Sequence, residues 1–359
     1  MIIADVVKVF IPPILSFVVG LGITVPITHY LYKYKLWKKS SIKKTMDGKE
    51  APITASLHGD ANRHTPNMGG TIVWISTIIV TLGIWLLSKT GLSIFEKLDF
   101  TSRSQTWIPL FTLVMGGVVG LVDDFLTTRE APTGAGYIGG GLSLGKRLSA
   151  VAVLGLFSAW WFYNKLGIHA LGLPGGHSLE LGILFVPLFI IIVIGIYSGS
   201  VIDGIDGLSG GLFAAMFSAY AGIAFYQQQI NLAAFCAVVV GGILAFLWFN
   251  IPPARFYMSE TGMMGLTITL AVVAFMTDNI AHSYGVLVLP IIALPLIVTT
   301  ASNIIQLSSK RLRGGKKVFL VAPLHNHFQA AGWPSYKVTM RYWVAGVIFA
   351  ILGFVLALL

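Results

Sequence analysis

Two adjacent aspartates, Asp123 and Asp124, stand in the stretch GLVDDFLTT (Gly120–Thr128), directly after an apolar run from Trp107 to Val122. A carboxylate is costly beside lipid, and two side by side repel each other. The C-terminal end of a helix opposes negative charge as well. The pair therefore implies a bound cation. Other acids stand in comparable places. YSGSVIDGIDGLSGG (Tyr197–Gly211) carries Asp203 and Asp206, three apart and so on one face if the segment is helical. Its glycines permit tight turns. WFNIPPARFYMSETG (Trp248–Gly262) breaks at Pro252-Pro253 and then presents Glu260 at the start of the next apolar run. Carboxylate oxygens gathered at a membrane surface suit Mg²⁺, which takes oxygen ligands and shares itself with substrate phosphates. Asp206 and Glu260 also precede helices, where acids act as caps, and on the residues alone both roles stay open.

APLHNHFQAAGWPSYK (Ala322–Lys337) adds His325 and His327. An H-x-H pair can bind zinc, but no further ligand of suitable type lies near it in sequence. Imidazoles beside phosphates can instead donate hydrogen bonds or positive charge. Two idle histidines on a surface loop would read the same way. Gly140 to Lys146 fits the letters GxxxxGK. Arg147 follows in place of Ser or Thr, and no buried strand precedes it, so a phosphate-binding P-loop is rejected. A basic loop touching phosphates remains.

These residues need elements to hold them, and composition says which. The chain is 55% hydrophobic and 11% charged over 359 residues, where soluble domains carry about 25% charge. That predicts an all-α, polytopic membrane protein. Apolar runs of spanning length fall at 8–32, 68–88, 105–122, 147–164, 179–198, 207–227, 231–249, 261–278, 283–306 and 338–358, about ten transmembrane helices. The eighth is the faintest, diluted by Met263, Met264 and several Thr. The first lacks a basic leader and a small-residue cleavage site, and reads as a span. The whole chain, 1–359, reads as one integral membrane domain with loops at about 33–67, 123–146, 199–206, 250–260 and 307–337. Of the 24 Lys and Arg, all but Lys8, Lys89, Lys97, Arg103 and Lys165 fall in or beside these loops. The positive-inside rule then makes the loops cytoplasmic and puts both termini outside. Asp123, Asp124, Asp203, Asp206 and Glu260 all belong to that cytoplasmic face, although they come from three loops. Convergence is the simplest reason. Span interiors hold essentially no acids, which disfavours a transporter. The net charge of +10 is mostly that of ordinary inner loops facing anionic lipid; the remainder suits an anionic substrate rather than nucleic acid. The single cysteine, Cys236, excludes an internal disulfide and a Cys-based metal site.

Taken together, the motifs resemble one family. TPNMGG (Thr65–Gly70), VDDF (Val122–Phe125), GLSLGKR (Gly141–Arg147), DGIDGLSGG (Asp203–Gly211), FLWFNIPPARFYMSETG (Phe246–Gly262), IIQ (Ile304–Gln306) and APLHNHFQAAGWPSYKVTMRYW (Ala322–Trp343) follow, in order and spacing, those of the phospho-N-acetylmuramoyl-pentapeptide transferases. These are a branch of the polyprenyl-phosphate N-acetylhexosamine-1-phosphate transferases. The resemblance implies a ten-helix enzyme of the bacterial inner membrane, usually a homodimer, with its active site facing the cytoplasm. It implies transfer of phospho-MurNAc-pentapeptide from its UDP carrier to undecaprenyl phosphate, giving lipid I and UMP, with Mg²⁺ required. Glu260 with Asp123 and Asp124 would hold the metal, and Asp123 would act as base or positioning group. Asp203 and Asp206 would lie at the substrate, Asp206 at the uridine. Tyr257 would face uracil, with Asn250 and Gln306 close to that pocket. His325 and His327 would lie over the phosphates or sugar. Arg147 takes the place of a family lysine, and Arg63 adjoins another.

Six positions depart from the family pattern. Glu260 replaces the metal aspartate, Asn326 the middle histidine of an HHH run, Gln329 a glutamate, Ser200 an asparagine, and Asn62 and Thr127 lysines. They leave two alternatives open: a transferase of the same superfamily using another UDP-amino sugar, or a catalytically weak paralogue acting as a membrane scaffold.

Overall fold

The computed structural model describes residues 2–37, 64–128, 141–175, 177–278 and 284–359. Arg63 and Asn62 lie outside them. Thirteen α-helices are present among the described residues. They are α1 (Ile2–Lys33), α2 (Thr71–Ser88), α3 (Ser93–Leu98), α4 (Trp107–Thr128), α5 (Leu144–Trp161), α6 (Phe185–Tyr197), α7 (Leu208–Tyr226), α8 (Ile230–Asn250), α9 (Ser259–Met276), α10 (Gly285–Ile292), α11 (Leu294–Leu312), α12 (Leu324–Ala330) and α13 (Ser335–Ala357). One short hairpin pairs β1 (Ala170–Leu173) with β2 (His177–Glu180), Ala170 opposite Glu180. Helices dominate because hydrocarbon offers the backbone no partners, so each spanning segment bonds to itself.

Eight helical segments are long and apolar enough to cross a membrane, and α10 with α11 forms a ninth, bent by 65°. The bend falls at Ala293, just before Pro295. Proline has no N–H to continue the ladder of α10, so the span breaks there. The remaining expected span, 147–164, coincides with α5. Lys146 and Arg147 lie near its start and lower its hydropathy, so it falls short of the eight. The π-turn Phe162–Leu166 extends it.

The faint eighth span, α9, is the centre of the bundle, with 89% of its length buried in protein. Its polar threonines are accommodated because they face other helices rather than lipid. Thr269 shares a 3.1 Å hydrogen bond with Thr112 of α4, and Thr267 bonds back to the Met263 carbonyl at 2.7 Å. Glycines let α4 and α9 approach closely, as small residues do in membrane helix pairs. A Cβ at Gly116 would sit 2.8 Å from Gly265 Cα, and one at Gly120 would collide with the Glu260 carbonyl. This contact sets Asp123 and Asp124 beside Glu260 and Thr261.

Chain direction then sorts the two ends of the bundle. At one end α4, α6, α8 and α11 finish, and α7, α9 and α13 begin. All five acids noted in the sequence lie there. At the other end Asp278 accepts hydrogen bonds from Gly172 N of the hairpin at 2.7 Å and Val286 N at 2.9 Å. Burial holds its carboxyl at about 6 against these two donors.

Candidate active site

The span preceding the acid pair does not end before it, as the hydropathy suggested. α4 runs on to Thr128, so Asp123 and Asp124 are buried on its last turns. Their two carboxylates take different partners. Asp123 Oδ1 accepts from Leu142 N at 2.6 Å and from Arg147 Nε at 3.1 Å. Arg147 Nη2 lies 3.0 Å from Asp123 Oδ2, and Nη1 donates to Glu260 Oε1 at 2.8 Å. Tyr197, at the end of α6, donates its hydroxyl to Glu260 Oε2 at 3.1 Å. Asp124 turns instead to α9, where Oδ2 accepts from Thr261 N at 2.8 Å and Thr261 Oγ1 at 2.6 Å. The loop that brings Arg147 in depends on Gly141 at φ +78, where a Cβ would press on Asp123 and Thr127. Ser143 then caps α5.

The segment carrying Asp203 and Asp206 is not a helix, so the two do not share a helical face. A 3-10 turn, Ser198–Ile202, ends at Asp203, and α7 starts only at Leu208. Nor do Asp206 and Glu260 cap their helices: Gly207 and Met258 hold those positions without side-chain bonds. Asp203 ties the starts of α7 and α9 together, accepting from Ser209 Oγ at 2.7 Å and Ser259 N at 2.8 Å. Ser259 sits at φ +54, a left-handed conformation rare for non-glycine residues. That turn immediately precedes Glu260. Asp206 Oδ2 accepts from Ala254 N at 3.0 Å, and burial raises its carboxyl against this donor. Buried Asn250 staples the same loops, accepting from Gly207 N at 2.9 Å and donating to the Phe256 carbonyl at 2.7 Å. Tyr257 is held by Pro66 and Gly69 through its backbone. Burial, then the nearby Asp206 charge, pushes its phenol up to about 12, so it is neutral at pH 7.

The final loop closes over this end. The His325 ring lies against Gly204, where any Cβ would strike Nε2. His327 Nδ1 accepts from Leu320 N at 3.2 Å. The Gln306 amide is engaged within the protein. It pins the loop, donating to the Phe319 carbonyl at 2.8 Å and accepting from Val318 N and Phe319 N at 3.0 Å each. From α13, Thr339 donates to the Asp206 carbonyl and Trp343 Nε1 to the Gly207 carbonyl, both at 3.0 Å. Thus Asp123, Arg147, Glu260, Asp203, Asp206, Asn250, Tyr257 and His325 come together through linked contacts. Gln306 on α11 anchors the final loop beside them, and His327 stands on α12.

Sequence reading missed Tyr197, Thr261 and Trp343 as partners of the site. All three lie inside quoted motifs, but their roles are long-range contacts without a local pattern. Among the departing residues, Thr127 Oγ1 donates to the Asp124 carbonyl at 2.6 Å, Gln329 Nε2 donates to Ser335 Oγ at 2.7 Å, and Asn326 is buried.

The three carboxylates expected to hold Mg²⁺ do not form a metal cradle in this arrangement. Asp123 and Glu260 face each other across a guanidinium, and Asp124 is engaged by Thr261. Among the described residues no three His, Cys, Asp or Glu side chains gather as a ligand set. Arg147 lies between Asp123 and Glu260 and offsets one of their two negative charges.

Residues 106–278 match the family model described as glycosyl transferase family 4. The chain is 33% identical over 291 residues to the phospho-N-acetylmuramoyl-pentapeptide-transferase of Anoxybacillus flavithermus, covering 80% of this chain and 82% of that one. It is 33% identical over 293 residues to the protein of the same name from a Geobacillus species, with the same two coverages. For Listeria innocua the identity is 31% over 291 residues, covering 80% and 83%. Likeness of this depth over four-fifths of a multi-pass helical chain places it: the chain belongs to the phospho-N-acetylmuramoyl-pentapeptide-transferase family.

Proposed function

We propose that the protein transfers phospho-MurNAc-pentapeptide from UDP-MurNAc-pentapeptide to undecaprenyl phosphate, yielding lipid I and UMP. It does so as a homodimer at the cytoplasmic face of the bacterial inner membrane. One observation carries the reading: Asp123, Arg147 and Glu260 meet the Asp203–Asp206 loop and His325 at a single end of the bundle. A lipid phosphate reaches that end without leaving the membrane surface, and a nucleotide reaches it from water. The basic loops support a cytoplasmic position for this end.

The acceptor needs little activation. A phosphate monoester has its second pKa near 6, so at pH 7 it is mostly a dianion and already nucleophilic. Asp123, tied to Leu142 N and Arg147, therefore serves as a positioning group and not as a base. Arg147 offers a planar fork suited to phosphate oxygens, and charge building on the diphosphate is met by such fixed donors. Neutral Tyr257 presents an aromatic face to the uracil, and Asp206 a carboxyl to the uridine. His325 and His327 sit over the phosphates and sugar.

The test is UMP release by purified protein in detergent with undecaprenyl phosphate and UDP-MurNAc-pentapeptide, with UDP-GlcNAc in parallel. Release from the muramoyl donor, lost in Asp123→Ala, is expected. Release from UDP-GlcNAc alone assigns the chain to another UDP-amino sugar. No release from either, in a well-folded sample, favours the scaffold reading.

A further inference from the structure

We propose that Arg147 is the resident cation of this site, and that a divalent ion such as Mg²⁺ binds Asp123 and Glu260 only by displacing it. Arg147 already occupies the space between the two carboxylates. Asp123 Oδ1 holds Leu142 N at 2.6 Å and Arg147 Nε at 3.1 Å, while Oδ2 lies 3.0 Å from Nη2. Glu260 Oε1 holds Nη1 at 2.8 Å, and Oε2 takes the Tyr197 hydroxyl at 3.1 Å. Each of these oxygens lies within about 3.1 Å of a protein donor atom, Asp123 Oδ2 through the ion pair with Nη2 and without a hydrogen bond. The Asp123 side chain is 0% exposed, and those of Arg147 and Glu260 are only 20% and 19% exposed.

Mg²⁺ needs its oxygens at about 2.1 Å. Arg147 nitrogens already lie within hydrogen-bond reach of the same oxygens, so ion and guanidinium compete for one space. Arginine cannot yield by losing its proton, because its pKa is above about 12. It yields only by moving. The residue types fit this arrangement. Glutamate at 260 is one methylene longer than aspartate and reaches the guanidinium across the α4–α9 contact. Arginine at 147 has the fork to hold both carboxylates at once, which the point charge of lysine lacks. A displaced guanidinium keeps the planar fork that suits phosphate oxygens.

Cation binding of this kind holds whichever nucleotide donor the enzyme takes, so the test leaves out nucleotide and lipid. Mn²⁺ is titrated into the full-length protein in detergent, and free Mn²⁺ is read by electron paramagnetic resonance. Arg147→Gln is expected to bind one Mn²⁺ about 10-fold to 100-fold more tightly than wild type, the range set by losing one charged hydrogen-bonded partner. Adding Glu260→Gln to that variant should abolish the gain. Arg147→Lys keeps the charge without the fork and should fall between the two. If Arg147→Gln does not purify as a monodisperse species, Arg147→Lys decides, with tighter binding than wild type expected. Equal Mn²⁺ affinity in wild type and the folded Arg147 variant overturns the proposal. So does a gain that survives Glu260→Gln, since the ion then sits elsewhere. A transferase that proves inactive leaves this measurement intact, and an unchanged Mn²⁺ affinity leaves the transferase reading intact.

Discussion

Gly120→Ala is the change that most sharply couples packing to the site. A Cβ at Gly120 lies 2.5 Å from the Glu260 carbonyl carbon and 2.8 Å from Thr261 Cα, and ordinary contact starts at 3.4 Å. These are backbone atoms, so no side chain can swing aside. The start of α9 must retreat by about 1 Å. A retreat of that size takes the Arg147–Glu260 pair from 2.8 Å to about 3.8 Å, beyond hydrogen-bond reach. It also stretches the two Thr261 bonds to Asp124. Overpacking of this kind costs about 1–3 kcal/mol, and losing a charged hydrogen bond adds about 1.5–3 kcal/mol. The better helix propensity of alanine returns about 1 kcal/mol. The net expectation is a loss of about 1.5–5 kcal/mol, seen as a lower melting temperature in detergent, with UMP release reduced at least about tenfold. Gly83→Ala in α2 is the control, because nothing lies within 4 Å of its Cβ; it should melt at or slightly above wild type. Gly120→Ala with wild-type melting and turnover would refute the idea that this helix contact sets the site geometry.

Three further outcomes follow from the same contacts. Asn250→Ala leaves Gly207 N and the Phe256 carbonyl without their partner, which should cost about 2–4 kcal/mol and raise KM for the nucleotide; unaltered melting and KM would remove Asn250 as the staple of the two loops. Trp343→Phe loses the 3.0 Å bond to the Gly207 carbonyl and should cost about 1 kcal/mol, with KM moving more than kcat; a kcat loss at constant KM would speak against a positioning role. Asp278, at the opposite end, has its carboxyl raised from 3.8 to about 6, so the native state holds that proton more tightly than the unfolded chain. Its contribution is therefore full below about pH 4 and falls as pH rises toward 6, by about 3 kcal/mol in all. The melting difference between wild type and Asp278→Asn should change over that window, and a difference independent of pH would contradict the assignment.

Much of the architecture was legible because hydropathy and charge act locally. Apolar runs marked the spans, and the basic loops grouped five acids before any contact was known. What stayed hidden is long-range or set by tertiary context. The span at α9 looked faint because its threonines bond to neighbouring helices, a fact about burial that hydropathy cannot register. Hydropathy ends α4 too early because acids count against a span, although here they are buried in protein and not in lipid. Asp203 and Asp206 are spaced for a helix, but the glycines around them release the chain into turns. Arg147 stands 24 residues from Asp123 and 113 from Glu260, so no spacing rule joins them. The resemblance marked Arg147 as a site residue without showing that it bridges the two carboxylates.

The most direct test of the transferase reading is the identity of the lipid product. Undecaprenyl phosphate would be supplied with UDP-MurNAc-pentapeptide and UDP-GlcNAc together in one reaction, and the polyprenyl diphosphates identified by mass spectrometry. The expected product is undecaprenyl-diphospho-MurNAc-pentapeptide, with UMP released in equal amount and both absent in Asp123→Ala. A GlcNAc-bearing lipid in its place, or no new diphosphate from a folded sample, would contradict the transferase reading.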